Sequence, residues 1–163
     1  MSKIDVDQAI RDLGVGKTPE WIAEHLRMYR DSGGAEGHLF DLSGAGGPGL
    51  RPSLLLTTVG RRTGEKRTSP LIYDTAGEAY VVIASKGGAD THPSWYLNLL
   101  ANAAVEVQVA RDHFPARARV ATGKERDQLW EQMVQLNPLC REYQQKTRRA
   151  FPVVVLEKQP TST

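Results

Sequence analysis

LLLTTVGRRTGEKRTSPLIYD, residues 54–74, decides how this chain is read. Two apolar, threonine-containing runs flank a short polar tip, which is the composition of two strands joined in a hairpin. Arg61, Arg62, Lys66 and Arg67 crowd around Gly64 at that tip, against one acid, Glu65. A turn glycine lets backbone N–H groups swing toward an anion, and arginine forks grip phosphate or carboxylate with two bonds. The tip therefore has two readings, a solvated turn or an anion site.

The strand pattern continues outward. EAYVVIAS (78–85), VEVQVA (105–110), ARARV (116–120) and FPVVVLEK (151–158) are short apolar or alternating runs, with a turn at Ala76-Gly77. Connections this short favour antiparallel pairing. Helical spacing appears elsewhere: Val6, Ile10 and Leu13; then Ile22, Leu26 and Tyr29 after the start signal Thr18-Pro19-Glu20. A glycine-rich loop is expected over 32–52, and a short helix over 93–102. Thr122 with Glu125 predicts a capping box opening the stripe Leu129, Met133, Leu136, and a second short helix follows at 139–149. The expected class is mainly β (α+β), a closed or nearly closed antiparallel barrel of about six strands with packed helices. One domain is expected over residues 1–163. Its helices and glycine-rich loop fill 1–50, and its barrel core fills 51–158.

Composition narrows the function. The chain has 163 residues, 40% hydrophobic and 25% charged, with a net charge of +2. No global positive field exists to draw in nucleic acid, so any anion preference must be local. A lone Cys140 excludes an internal disulfide and fits a reducing compartment. No apolar signal core and no membrane-length run is present, so a soluble cytoplasmic protein is expected. The N-terminal helices could lie on a membrane surface. Their acids Asp5, Asp7, Asp12, Glu20 and Glu24 favour packing on the barrel, with weak peripheral contact as the alternative.

Several familiar chemistries fail. GAGGPG (44–49) matches the dinucleotide fingerprint in letters, but Pro48 interrupts it and a strand follows where a helix must begin. His25, His38, His92 and His113 are scattered without metal-ligand spacing, so no metal is expected. No nucleophile elbow occurs. What remains is a second cluster, IASKGGADTHPSWYLNL (83–99). A strand runs into Ser85 and Lys86, then a glycine pair, then an aromatic helix start. Trp95 and Tyr96 offer flat faces with polar handles, or simply fill the barrel.

TTVGRRTGEKRTSPL, ASKGGADTHPSWYLNL and VEVQV, in that order, resemble the deazaflavin (coenzyme F-420)-dependent nitroreductase family of actinobacterial reductases. The closing PVVV strand and a late tyrosine-bearing helix fit as well, and the match spans about 54–156. The resemblance implies a split β-barrel related to flavin-mononucleotide-binding barrels. It implies coenzyme F-420 as cofactor, with a flat ring, a phosphodiester and an oligoglutamate tail. Arg61, Arg62 and Thr63 would then meet phosphate and tail. Arg67, Thr68, Ser69, Pro70, Leu71 and Ile72 would run from phosphate to ring edge. Ile83, Ala84, Ser85 and Lys86 would line the ring. Ser94, Trp95, Tyr96, Leu97 and Asn98 would close the site, and Cys140 would border it. Ser85, Lys86 and Tyr143 become the candidates for stabilising the anion that forms when the acceptor takes the hydride. The acceptor would be a small, hydrophobic, electron-poor molecule: an activated alkene, a quinone or a nitro compound. At the late-helix positions this chain reads Asn137, Cys140 and Tyr143, and Ile72 replaces a ring-contacting tyrosine. Its acceptor pocket should be poor in hydroxyls. The alternatives are flavin mononucleotide on the same barrel, or a non-catalytic cofactor carrier; a monomer or weak dimer is expected.

Overall fold

A computed structural model describes residues 19–160. The helix expected over 3–13 and the cap at Thr18 lie outside the described residues. Helix α1 spans Glu20–Asp31. The strands are β1 Leu39–Asp41, β2 Leu50–Val59, β3 Lys66–Ile72, β4 Asp74–Ala76, β5 Ala79–Ile83, β6 Ala104–Val109, β7 Asp112–Val120 and β8 Val153–Lys158. Helix α2, Ser94–Ala101, joins β5 to β6, while α3, Gly123–Leu136, and α4, Leu139–Gln144, join β7 to β8.

All strand pairs are antiparallel. Their order is β1-β2-β6-β7-β8-β5-β4, with β3 also on β2. Only Tyr73 separates β3 from β4. The two ends of the sheet are therefore one run of chain, and the sheet must curl into a barrel. Closure by hydrogen bonds stops short of complete. β3 pairs with β2 alone, and past Val81 the edge of β5 that faces β4 has no partner among the described residues. A seam with two free strand edges is left between β3 and the end of β5, which makes this a split barrel.

Alternation assigns the two faces of the sheet. Val82, Ala84, Val154 and Leu156 join Leu54, Leu56, Val107 and Phe114 inside the barrel. Val81, Ile83, Val153 and Val155 point outward, beneath Leu129, Met133 and Val134 of α3. Helix α1 is pinned through Tyr29, whose hydroxyl accepts from the Ala110 N–H at 2.7 Å and donates to the Ser53 carbonyl at 3.0 Å. Gly34 makes that docking possible, since a Cβ there would collide with the Ala110 carbonyl.

The structure departs from the expected elements in four places. The sheet has eight strands rather than about six, because β1 lies in the expected loop and β4 splits from β3 at Tyr73. β7 begins at Asp112 and not at residue 116. The Pro115 carbonyl accepts from Gln159, past the end of β8, so the proline's missing N–H breaks no β7–β8 ladder bond. The helix expected over 139–149 stops at Gln144. Thr122 does precede α3 but makes no side-chain cap, and the reciprocal half is also missing because Arg119 takes both carboxylate oxygens of Glu125. Among the described residues, no helix is long and apolar enough to cross a membrane.

Candidate functional site at the barrel seam

The β2–β3 hairpin ends in a tight tip, closed by Gly60 N–H to Glu65 O at 2.7 Å and Gly64 N–H to Gly60 O at 2.8 Å. Its cations are exposed. Lys66 pairs with Glu106 at 3.0 Å and Arg67 with Glu65 at 3.2 Å. Such exposed pairs hold their partners weakly, so an anion can compete for the cations. Arg61 is different. Its backbone N–H and its Nη1 both donate to Asn98 Oδ1, at 3.2 and 2.9 Å. Asn98 is buried on α2 and donates in turn to Thr58 Oγ1 at 3.1 Å. One amide thus ties the tip of the hairpin to the helix that closes the barrel end.

The seam runs from this tip along β3. Thr68, Ser69, Pro70, Leu71 and Ile72 are all half-buried, and Leu71 packs on the barrel core. Across the seam β5 delivers Ile83 and Ala84, both buried. Ile83 belongs to the outer cluster and Ala84 to the barrel interior. Ser85 and Lys86 follow, half-buried, and open a single 3₁₀ turn over Lys86–Gly88. Lys86 has a φ of 49°, unusual for a side chain with a Cβ. Its Nζ donates to Thr91 Oγ1 at 3.0 Å. Burial, and then the nearby Arg149 charge, lower the Lys86 pKa below the ordinary lysine value.

Helix α2 begins at this corner with Ser94 exposed, Trp95 and Tyr96 buried in the barrel cluster, and Leu97 half-buried. His92 stands 4.9 Å from Tyr96, ring to ring. Cys140 and Tyr143 are on α4, on the outer side. Cys140 is buried, which pushes its thiol up to about 12. Tyr143 packs on the outer cluster with the Lys146 ammonium 5.7 Å from its ring centre. Burial raises its phenol pKa, so it stays protonated at neutral pH. α4 meets the turn through Gly88, where an added Cβ would lie 2.8 Å from the Tyr143 carbonyl.

The expected residues thus gather along one line: Arg61, Arg62, Thr63 and Arg67 at the tip, Thr68 to Ile72 on one edge, Ile83 to Lys86 opposite, and α2 at the corner. Cys140 and Tyr143 stand behind the turn. A separate groove of about 620 Å³ lies on the outer face of the sheet, lined by Arg30, Leu55, Thr57, Thr68, Glu106 and His113 among others. It shares only Thr68 with the seam. Sequence reasoning missed Arg149, whose guanidinium makes five hydrogen bonds around the 84–92 segment. Nothing local in RRAFPVVV tells which carbonyls an arginine will reach.

Comparison with known proteins agrees with this architecture. The family model described as F420H(2)-dependent quinone reductase matches residues 21–158. A Mycobacterium tuberculosis protein named as an F420H(2)-dependent quinone reductase is 41% identical over 138 residues, 82% of this chain and 87% of that one. A solved F420-H2 dependent reductase, FDR-A, superposes with a TM-score of 0.61 at 42% identity, covering 66% of this chain and 95% of the other. A second structure, described as a domain-swapped dimer, gives 0.64 at 37% identity, over 85% of this chain and 98% of its own. The chain belongs to the F420H(2)-dependent quinone reductase family, oxidoreductases of split-barrel fold that work with reduced coenzyme F-420.

Proposed function

We propose that this chain reduces quinones and similar electron-poor molecules, with coenzyme F-420 seated along the seam. The observation that carries the reading is the continuity of a four-cation tip with two strand edges that are unpaired among the described residues, that of β3 and that of β5 running on to Ser85 and Lys86. When bound, the deazaflavin supplies a hydride, two electrons at once. The donor set suits it: an anionic tail on Arg61, Arg62, Lys66 and Arg67, and a flat ring beside strand edges whose backbone groups are free to hydrogen-bond.

The protein's own tasks are positioning and charge stabilisation. Asn98 fixes Arg61, so the tip meets the tail with one cation already oriented. Trp95 and Tyr96 keep water from the barrel end. Lys86 in its cationic form, with the Ser85 hydroxyl, offsets negative charge that develops as an acceptor is reduced. Tyr143, held neutral on the outer side of the turn, is the residue we assign to donate a proton or hydrogen bond to an acceptor oxygen. Since Asn137 and Cys140 supply no phenol, this single hydroxyl favours flat quinones over acceptors that need several donors. Flavin mononucleotide, with one phosphate, would leave much of the tip unused. A cytoplasmic monomer or weak dimer fits this role, and weak peripheral membrane contact would serve a lipid-borne quinone.

An anaerobic assay of reduced F-420 oxidation with a soluble quinone, a nitroimidazole and an unsaturated lactone tests the reading. The quinone should turn over fastest, and more slowly with Tyr143→Phe at unchanged F-420 affinity. Tight F-420 binding without turnover of any acceptor would mark a carrier instead.

A further inference from the structure

Arg149 is half-buried in the segment between α4 and β8, and no carboxylate pairs with it among the described residues. Its acceptors are neutral. Nη1 donates to the Ala84 carbonyl at 3.0 Å and to His92 Nδ1 at 3.0 Å. Nη2 donates to the Ser85 carbonyl at 2.7 Å and the Ala89 carbonyl at 3.0 Å, and Nε reaches Ala89 again at 3.1 Å. Arginine has no acceptor, so His92 Nδ1 must be the bare nitrogen and a neutral His92 carries its proton on Nε2. The Phe151 ring lies 4.8 Å beneath the guanidinium.

Peptide geometry turns this clamp into a statement about the seam. In a trans peptide the C=O of one residue and the N–H of the next point in opposite directions. The Ala84 N–H donates to Pro152 O, which places the Ala84 carbonyl, and Arg149 with it, on the β8 side of β5. The N–H of Ser85 therefore faces the opposite edge, the seam. The Ser85 carbonyl is also drawn to Arg149, so the Lys86 N–H turns away from the guanidinium too. Among the described residues neither N–H has an acceptor. Ser85 is right-handed helical, with φ −88° and ψ −36°, and Lys86 has a φ of 49°. A right-handed residue followed by one at positive φ directs successive N–H groups into one concavity that binds anionic or electron-rich oxygen.

We propose that Arg149 is a positioning residue of the site: its guanidinium holds the peptide groups of Ala84, Ser85 and Ala89 so that the N–H groups of Ser85 and Lys86 form an oxygen-binding cradle at the seam. The positive φ of Lys86 is the strained element, and the fork of Arg149 is what over-determines it. The same guanidinium, without an ion pair among the described residues and with Asp90 acting on it from farther off, keeps positive charge behind the cradle, where it favours negative charge on whatever the cradle holds. This assignment rests on the F-420 reading for the identity of the ligand, but the clamp itself does not.

The test compares wild type with Arg149→Lys, Arg149→Gln and, as a neighbouring-charge control, Arg148→Gln. Two readouts are taken: hydrogen exchange, without ligand, of the Gly88 and Ala89 amides, which donate to the Ser85 and Lys86 carbonyls, and affinity for coenzyme F-420 by fluorescence titration. Lysine keeps the charge and loses the fork; glutamine loses the charge. Both Arg149 variants should exchange the Gly88 and Ala89 amides faster and bind F-420 about tenfold or more weakly, the loss of a held donor pair. Arg148→Gln should match wild type. Arg149 is the charge that, after burial, lowers the Lys86 pKa; Asp90 acts on Arg149 with the opposite sign, His92 is bonded to the guanidinium, and Lys146, past the end of α4, lies beside Gly88 and the Tyr143 ring. Removing the guanidinium should therefore raise the Lys86 pKa. In Arg149→Gln the alkaline limb of F-420 binding should move to higher pH, and in Arg149→Lys it should stay. Wild-type exchange and affinity in a folded Arg149→Lys protein overturn the inference, even if Arg149→Gln fails to fold. Absence of F-420 binding by wild type itself, with exchange still accelerated in the variants, would overturn the cofactor reading and leave the clamp standing.

Discussion

Gly88 shows how closely the site's parts approach. Its φ is 88°, and a Cβ there would meet the Tyr143 carbonyl at 2.8 Å and Lys146 Cβ at 3.3 Å. Carbonyl and turn are both backbone, so neither yields cheaply. Gly88→Ala should cost roughly 1–3 kcal/mol, through the strained φ and the forced separation of α4 from the turn. Urea unfolding monitored by tryptophan fluorescence gives that figure, and a loss near zero would show that the turn is free to shift. The glycine pair was visible in the sequence, as was Lys86 beside it. The need for both was not, because it arises from a helix fifty-odd residues further along the chain. Arg149 and Asn98 make the same point in different ways. Asn98 stood inside a motif and drew attention for its company. Arg149 stood outside every motif, and only the folded path of the 84–92 segment gives it five hydrogen bonds to four residues.

Among the elements, the β2–β3 hairpin carries the clearest expectation. Arg62 and Arg67 lie at its exposed tip, Arg67 in a weak ion pair with Glu65. Replacing both by alanine should weaken F-420 binding about tenfold and flatten its dependence on salt, because the lost contacts are the screened ones. Affinity measured at low and high ionic strength decides this, and an unchanged salt slope would remove the tip from the site. The hairpin was legible because charge and apolar pattern changed sharply at its ends. β1 was not: three residues, with Leu39 exposed, leave no alternation to read. β7 was half read, since Phe114, Ala116 and Ala118 do alternate inward but Pro115 masks the first of them. The capping box was read from letters that Arg119 had already claimed.

At the scale of the whole molecule, barrel and helices are held by polar pins as well as by the core. His25 is buried, its Nε2 within 2.8 Å of the Gly37 carbonyl and its ring stacked 4.4 Å from Phe40. Burial lowers its pKa below 6.5, outweighing the carbonyl's opposite pull. The unfolded chain therefore binds the proton more readily than the fold does. The stabilisation is complete above the unfolded pKa and drains away as pH falls through the lowered one. The urea midpoint should drop between about pH 7 and about pH 5, and His25→Gln should lessen that drop. An equal drop in the variant would assign acid sensitivity to carboxylates instead. The barrel itself was legible because its strands are short, consecutive and alternating. The seam was not, since it depends on where β4 leaves β3, a break made by Tyr73 alone.

On the function proposed above, the open seam of the split barrel and its cationic tip form one site for a polyanionic deazaflavin. Parallel titrations of the wild-type protein with coenzyme F-420 and with flavin mononucleotide, at low and high salt, test it most directly. F-420 should bind tightly, less so at high salt, and flavin mononucleotide should bind little. Preference for flavin mononucleotide, or F-420 binding indifferent to salt, would contradict it.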